Sequence, residues 1–308
     1  MVLSVIIPIF LLLISGYLSI KAHLLSKEQM TVVGTFVIRV ALPVLFFQAL
    51  SSKDLAAIWQ AELFYSYTLV TAVVYFIAFK IFKGYFQNNL SDSAILSIGA
   101  SMSNTGLLGT AILTLLIGNN AISFTSLVVI IESVLLVPVA LFLAGMQSQQ
   151  QVSISNAVKS NLIHLFKTPI FIGVILGILF AIFKIPVPIY LDQVLLMIGQ
   201  TASPLALFVI GGGLVGLTLK YVNAQSVFIV FCSNFFFPFC MYITLRFIAN
   251  APLEVVYIGT LIAALPTPAL FGILGQAYGL NDRAITPLLM STVIGFVVTT
   301  VLIMAWWS

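Results

Sequence analysis

Charge is the scarcest commodity in this sequence. Only 6% of its 308 residues are Asp, Glu, Lys or Arg, where a soluble domain carries roughly 25%. So few charges cannot clothe a surface that faces water. With 61% hydrophobic residues and a mean hydropathy of +1.21, the bilayer must be the chain's main solvent. Histidine is almost missing as well. His23 and His164 both fall in polar connections, and no aspartate lies deep in an apolar run. That leaves no Ser-His pair, aspartate pair or zinc motif for a membrane-embedded enzyme. The two cysteines, Cys232 and Cys240, share one apolar run and read as reduced packing residues, not as a disulfide or a metal site. No basic run or basic face exists among the 12 Lys and Arg, so a nucleic-acid partner is excluded. The alternation of apolar and polar residues that marks barrel strands is absent too. No positive segment precedes the first apolar run, which is therefore read as a retained span and not a cleaved signal.

What the sequence does have is apolar runs, each near the roughly 20 residues that a spanning helix needs. Ten can be marked: 2–20, 32–50, 60–82, 93–117, 121–145, 167–183, 192–219, 225–249, 252–279 and 284–307. The fold class expected is an all-α membrane protein of ten transmembrane helices. The connections after odd-numbered runs carry eight cationic residues: Lys21, Lys27, Lys80, Lys83, Lys159, Lys167, Lys220 and Arg283. Those after even-numbered runs carry three, Lys53, Lys184 and Arg246. The richer side should be cytoplasmic. Both termini then face outside, in what is expected to be a bacterial inner (plasma) membrane.

The chain also repeats itself. An offset of about 161 residues brings Ala41-Leu42-Pro43 and Phe47 onto Ala202-Ser203-Pro204 and Phe208. It also brings Pro8 onto Pro169, and Gly118–Ile122 roughly onto Gly279–Ile285. This divides the chain into a first five-helix repeat (1–146), a polar cytoplasmic linker (147–166, with a short interfacial helix over 156–166) and a second repeat (167–308). Five spans is an odd number, so the second half enters the membrane inverted, an arrangement that characterises secondary transporters.

Two runs are unsuited to a straight helix. The fourth contains Ser101, Ser103, Asn104, Thr105, Gly106 and Gly109 in succession with Ala111 beyond. Glycine costs about 1 kcal/mol of helix propensity relative to Ala. The ninth contains Leu265-Pro266-Thr267-Pro268-Ala269, and two prolines one residue apart remove two donors and clash with the preceding turn. Irregular backbone at membrane depth persists only when buried in protein or lining a water-filled cavity. Two such breaks in corresponding places would bring half-helix N-termini together, where an anion is the expected guest. Two kinked packing helices are the plainer alternative.

At these residues the chain resembles the auxin efflux carrier family, which includes plant PIN proteins and bacterial relatives described as malate or malonate permeases. The similarity rests on Asn104-Thr105-Gly106-Leu107-Leu108-Gly109, on Pro266 through Gln276-Ala277-Tyr278-Gly279, and on Ala41-Leu42-Pro43. It implies a bile-acid-symporter-like fold with crossed helices 4 and 9, and alternating-access carriage of small carboxylates. It implies substrate contacts at Ser101, Ser103, Asn104, Thr105, Gly106, Gly109, Pro266, Thr267 and Pro268, with the helix break near Ala111, Leu265 and Ala269. One departure stands out. The family usually has proline where this chain has Ala111, so the break in the fourth run should rest on Asn104, Gly106 and Gly109.

Three further residues are candidates for coupling or charge balance. Arg39, four residues before the expected kink at Pro43, either snorkels to the cytoplasmic end or faces the crossing. Gln200, beside the second kink at Pro204, is its neutral counterpart in the repeat. Glu132 is the one acid deep inside a run, as a proton-coupling carboxylate or as a hydrogen-bonded acid at a helix interface. Gln48 is a further polar contact. No organic cofactor is implied, and the coupling ion would be H+ or Na+. A sodium-coupled symporter of larger, bile-acid-type anions is the alternative carrier, and a channel is a more distant one. The expected partners are a small organic anion and lipid, and a homodimer is left open.

Overall fold

The computed structural model describes residues 2–51, 59–146, 169–213, 215 and 222–307. The linker, with its interfacial helix, lies outside the described residues. Every element among those described is a helix, and no strand occurs. In order they are α1 (Val2–Lys21), α2 (Lys27–Phe36), α3 (Leu42–Ser51), α4 (Ala61–Gly84), α5 (Leu90–Ser101), α6 (Thr110–Ile117), α7 (Ala121–Ile131), α8 (Val137–Gly145), α9 (Pro169–Phe183), α10 (Ile189–Gln200), α11 (Ala202–Gly213), α12 (Ala224–Phe231), α13 (Phe237–Ile243), α14 (Leu253–Ala263), α15 (Ala269–Ala277) and α16 (Asn281–Trp306).

Six stretches are long and apolar enough to cross a membrane: Lys27–Gln48, Ala61–Gly84, Leu90–Gly145, Ile189–Gly213, Ala224–Ile248 and Asp282–Trp306. Leu90–Gly145 is 56 residues long, far beyond the ~20 of one crossing, and it contains two of the ten expected spans. Phe10–Lys21, Pro169–Phe183 and Leu253–Ala263 are apolar but shorter.

Proline marks three of the places where these stretches loosen. Single π turns cover Val37–Ala41, Glu132–Leu136 and Cys232–Phe236. Each begins six residues before a proline: Pro43, Pro138 and Pro238. Proline has no N–H, and its ring collides with the carbonyl four residues back. Widening the turn by one residue relieves that collision. Proline has no N–H to offer the carbonyls four residues upstream, those of Arg39, Val134 and Asn234.

Left-handed residues at helix ends recur at nearly constant spacing. Six described residues have left-handed φ, and they fall into three pairs. His23 (57°) and Lys184 (50°) follow α1 and α9, 161 positions apart. Gly118 (65°) and Gly279 (74°) follow α6 and α15, also 161 apart. Gln87 (52°) and Asn250 (48°) are 163 apart. A left-handed residue is the usual way to end a helix.

Packing repeats as well. α1 lies against α11, and α3 against α9 and α10. A methyl group at Gly16 would collide with the Phe208 carbonyl, and one at Gly177 would sit 3.1 Å from the Phe47 carbonyl. Gly16 and Gly177 are 161 positions apart, as are Phe47 and Phe208. Glycine allows backbones to approach this closely in a bilayer, where packing rather than water drives helix association. In the Gly211-Gly212-Gly213 run, the first two are packed against Leu13 and Met30, and the third has open space.

Two aromatic runs pack in different ways. Phe237 is buried, its ring 5.5 Å from that of Tyr67, while Phe235 is exposed. Only part of the Phe235-Phe236-Phe237 run therefore faces lipid. Trp306 stacks on Tyr257 at 4.7 Å, so the final tryptophans pack on other aromatics. At the opposite end of α16, Arg283 forms the one ion pair among the described residues, 2.7 Å from Asp92. It also donates to Asn88 and Gln225, so one guanidinium ties the starts of α5, α12 and α16. Cys232 and Cys240 are both free.

Gly16→Ala should lower the melting temperature of the detergent-purified protein, because overpacking costs about 1–3 kcal/mol. Gly213→Ala, with nothing nearby to meet, should leave it within the spread of replicate measurements. Equal melting temperatures for both variants would remove close approach as the role of Gly16.

Candidate functional site

Two interruptions of helix lie against each other. α5 stops at Ser101 and Met102–Asn104 are not helical. A π turn over Thr105–Gly109 then leads into α6. α14 stops at Ala263, and the chain runs irregularly through Pro266-Thr267-Pro268 until α15 begins. The Asn104 N–H donates to the Pro266 carbonyl at 2.8 Å, and the Thr267 hydroxyl donates to the Gly99 carbonyl at 3.1 Å. A methyl group at Gly109 would fall 2.8 Å from Leu265, and one at Gly99 2.7 Å from the Phe271 ring. The first break thus sits just before the glycines and not upon them. Ala111 is a buried residue within α6. Gly109 serves to admit Leu265, and Gly106 has ordinary space around it.

Every freed donor has to find a partner where water is scarce. Pro266 and Pro268 have no N–H, so Thr267 is the one donor in that triplet. It donates to Ser291 Oγ at 2.9 Å. Ser291 in turn donates to Asn234 Oδ1 at 2.8 Å, and Asn234 Nδ2 donates to the Ala264 carbonyl at 3.4 Å. At the first break the Ser103 N–H donates to Glu132 Oε1 at 3.2 Å, and Tyr67 donates to the same oxygen at 2.7 Å. The Tyr67 hydroxyl is also 2.8 Å from Ser103 Oγ, which is 3.1 Å from Thr105 Oγ1. All of these side chains are buried. Ser101 is buried too, but its hydroxyl is spent on its own helix, at the Ser97 carbonyl.

The other candidates gather elsewhere. Gln48, Gln200, Ser203 and Pro204 line a cavity of about 310 Å³ with Leu12, Thr114 and Asn119. Buried Thr114 Oγ1 has no hydrogen-bond partner. Gln48 also donates to Asp192 at 3.2 Å. Arg39 stands exposed on its π turn, forms no ion pair among the described residues and does not meet Glu132.

Sequence reasoning missed Tyr67, Asn234 and Ser291. Asn234 had a signal: it stands four residues before Pro238, as Arg39 stands before Pro43. Tyr67 and Ser291 had none, since a lone tyrosine or serine in an apolar run looks like any other.

A family model described as "Membrane transport protein" matches residues 1–304. One relative, from Rhizobium meliloti (strain 1021), bears the name "Putative malonate transporter". It is 26% identical over 304 residues, which cover 96% of this chain and 93% of that protein.

Ser291→Ala should destabilise the protein by about 1–3 kcal/mol, because it leaves the buried Thr267 N–H without an acceptor. The check is the melting temperature in detergent beside that of Thr292→Ala, whose hydroxyl bonds only within its own helix. Equal values for the two variants would show that Thr267 does not depend on Ser291.

Proposed function

The chain belongs to the membrane transport protein family, that of the auxin efflux carriers, and on that premise we propose that it carries small organic anions across the membrane by alternating access. The guests are carboxylates such as malonate, malate or auxin-like acids. The observation that carries the reading is the contact between Met102–Asn104 and Leu265–Pro268. Broken helices whose ends meet bring positive dipole ends together, the expected setting for a carboxylate. The full name of the relative from Rhizobium meliloti (strain 1021), "Putative malonate transporter", agrees with that chemistry. In this reading Asn104, Thr105 and Gly106 on one side and Thr267 on the other contact the substrate.

The architecture proposed is ten spans in two inverted halves, with the broken helices crossing. The paired left-handed residues and the mirrored contacts of Gly16 and Gly177 support it, since a repeat preserves backbone turns after side chains diverge. We further propose an elevator-type motion. The tightly packed set α1, α2, α3, α9, α10 and α11 would be the stationary body, and the helices bearing the breaks would move against it. The cavity supports this by its position. Leu12, Gln48 and Gln200 line it from the first body and Thr114 and Asn119 from the second.

Arg39 fits the same scheme. It is 12 residues beyond Lys27, which is about 18 Å of helix, in a hydrocarbon layer about 30 Å thick. An arginine there costs about 2.5–3.5 kcal/mol on insertion scales unless hydrated or paired. An exposed guanidinium at that depth is best accommodated by a water-filled path, where it would attract the anion.

Purified protein in proteoliposomes should take up labelled malonate, malate or indole acetate with saturation. Asn104→Ala should lower uptake roughly tenfold, the equivalent of about 1.4 kcal/mol, with expression unchanged. No uptake of any of the three acids, under either a proton or a sodium gradient, would sink the carrier. Unchanged uptake by Asn104→Ala would remove that residue from the site.

A further inference from the structure

The two breaks are held by the same bond and by different chemistry. At the second, a neutral hydroxyl, Ser291 Oγ, accepts the Thr267 N–H. At the first, a carboxyl oxygen, Glu132 Oε1, accepts the Ser103 N–H. A serine therefore suffices to hold a break, and the ionisable group at Glu132 exceeds what holding requires. Glu132 is only 2% exposed and is the sole acid deep in an apolar run.

Its surroundings contain little that could balance a charge. From α4 the titratable group facing it is Tyr67, which donates to it. The helices that flank its own turn, α7 and α8, contain no ionisable residue. The break and the π turn beyond it offer only hydroxyls and amides. The one acid of α5, Asp92, is paired with Arg283 at the far end of that helix. No cation forms an ion pair with Glu132 among the described residues. What it does have is a row of hydroxyls, Tyr67, Ser103 and Thr105, at spacings of 2.8 and 3.1 Å, which ends at the proposed anion site.

We infer that Glu132 couples anion movement to protons: its carboxylate takes up a proton when an anion occupies the neighbouring break. The inference rests on the organic-anion reading above. Two negative charges side by side in a low dielectric cannot both persist, and Glu132 is the partner that can yield. The proton comes from water on the side to which the site is open and passes along the three hydroxyls to the carboxylate. It returns to water on the other side when the anion leaves. No other bond is made or broken, and one negative charge is neutralised per cycle.

The test is malonate binding to the purified protein by titration calorimetry at fixed pH in two buffers of different ionisation enthalpy. At an alkaline pH, where the empty site holds Glu132 as the carboxylate, the wild type should take up about one proton per malonate bound. Glu132→Gln keeps an amide oxygen for Ser103 and Tyr67, and it should bind malonate with no proton uptake. Its transport in proteoliposomes should no longer respond to a pH gradient. Malonate binding by the wild type without proton uptake overturns the coupling and leaves the carrier intact. Proton uptake that survives in Glu132→Gln overturns it too. No binding of malonate, malate or indole acetate overturns both readings. The wild-type stoichiometry decides even if the variant fails to fold.

Discussion

Everything distinctive in this protein follows from one constraint: a backbone N–H or C=O in a bilayer needs a partner within the protein. A straight helix meets it automatically. The two interruptions at Met102–Asn104 and Leu265–Pro268 do not, and each must borrow acceptors and donors from elsewhere. They borrow from each other through Asn104 and Pro266, and from Glu132, Ser291 and Asn234 on neighbouring helices. The cost of leaving such groups bare explains why these buried polar side chains stand at the breaks.

The same constraint explains the prolines. Pro266 and Pro268 shorten the list of donors to be met. Pro43, Pro138 and Pro238 each open a π turn six residues upstream, and two of those turns bring Glu132 and Asn234 to the breaks. The third carries Arg39. Proline thus sets which side chains stand at irregular points of the helices, and the polar residues there become the candidates for binding and coupling.

The membrane class was legible in composition alone, because charge scarcity leaves no other solvent. The breaks were legible in Pro266-Thr267-Pro268 and in the glycines around Asn104. Their precise extent was not. The first falls before Gly106 and Gly109, and only tertiary contacts such as that of Leu265 with Gly109 determine this. The proposed repeat was faint in the residues, and the spacing of the left-handed backbone positions supports it more strongly. His23 and Lys184 share no chemistry, yet both turn left-handed at equivalent helix ends. Tyr67 and Ser291 were invisible because their importance lies in whom they meet. Arg39 and Glu132, grouped by the sequence as charge-balancing residues, stand apart in the structure, and Gln200 joins Gln48 at the cavity instead.

The central claim is that both interruptions are closed by protein partners and not by water. Hydrogen exchange of the detergent-purified protein without substrate, followed at the amides of residues 103–105 and 267, tests it most directly. The account predicts protection comparable to that of α5 and α14 on either side, although these residues are not helical. Exchange as fast as at the exposed turn around Gln87 would contradict it.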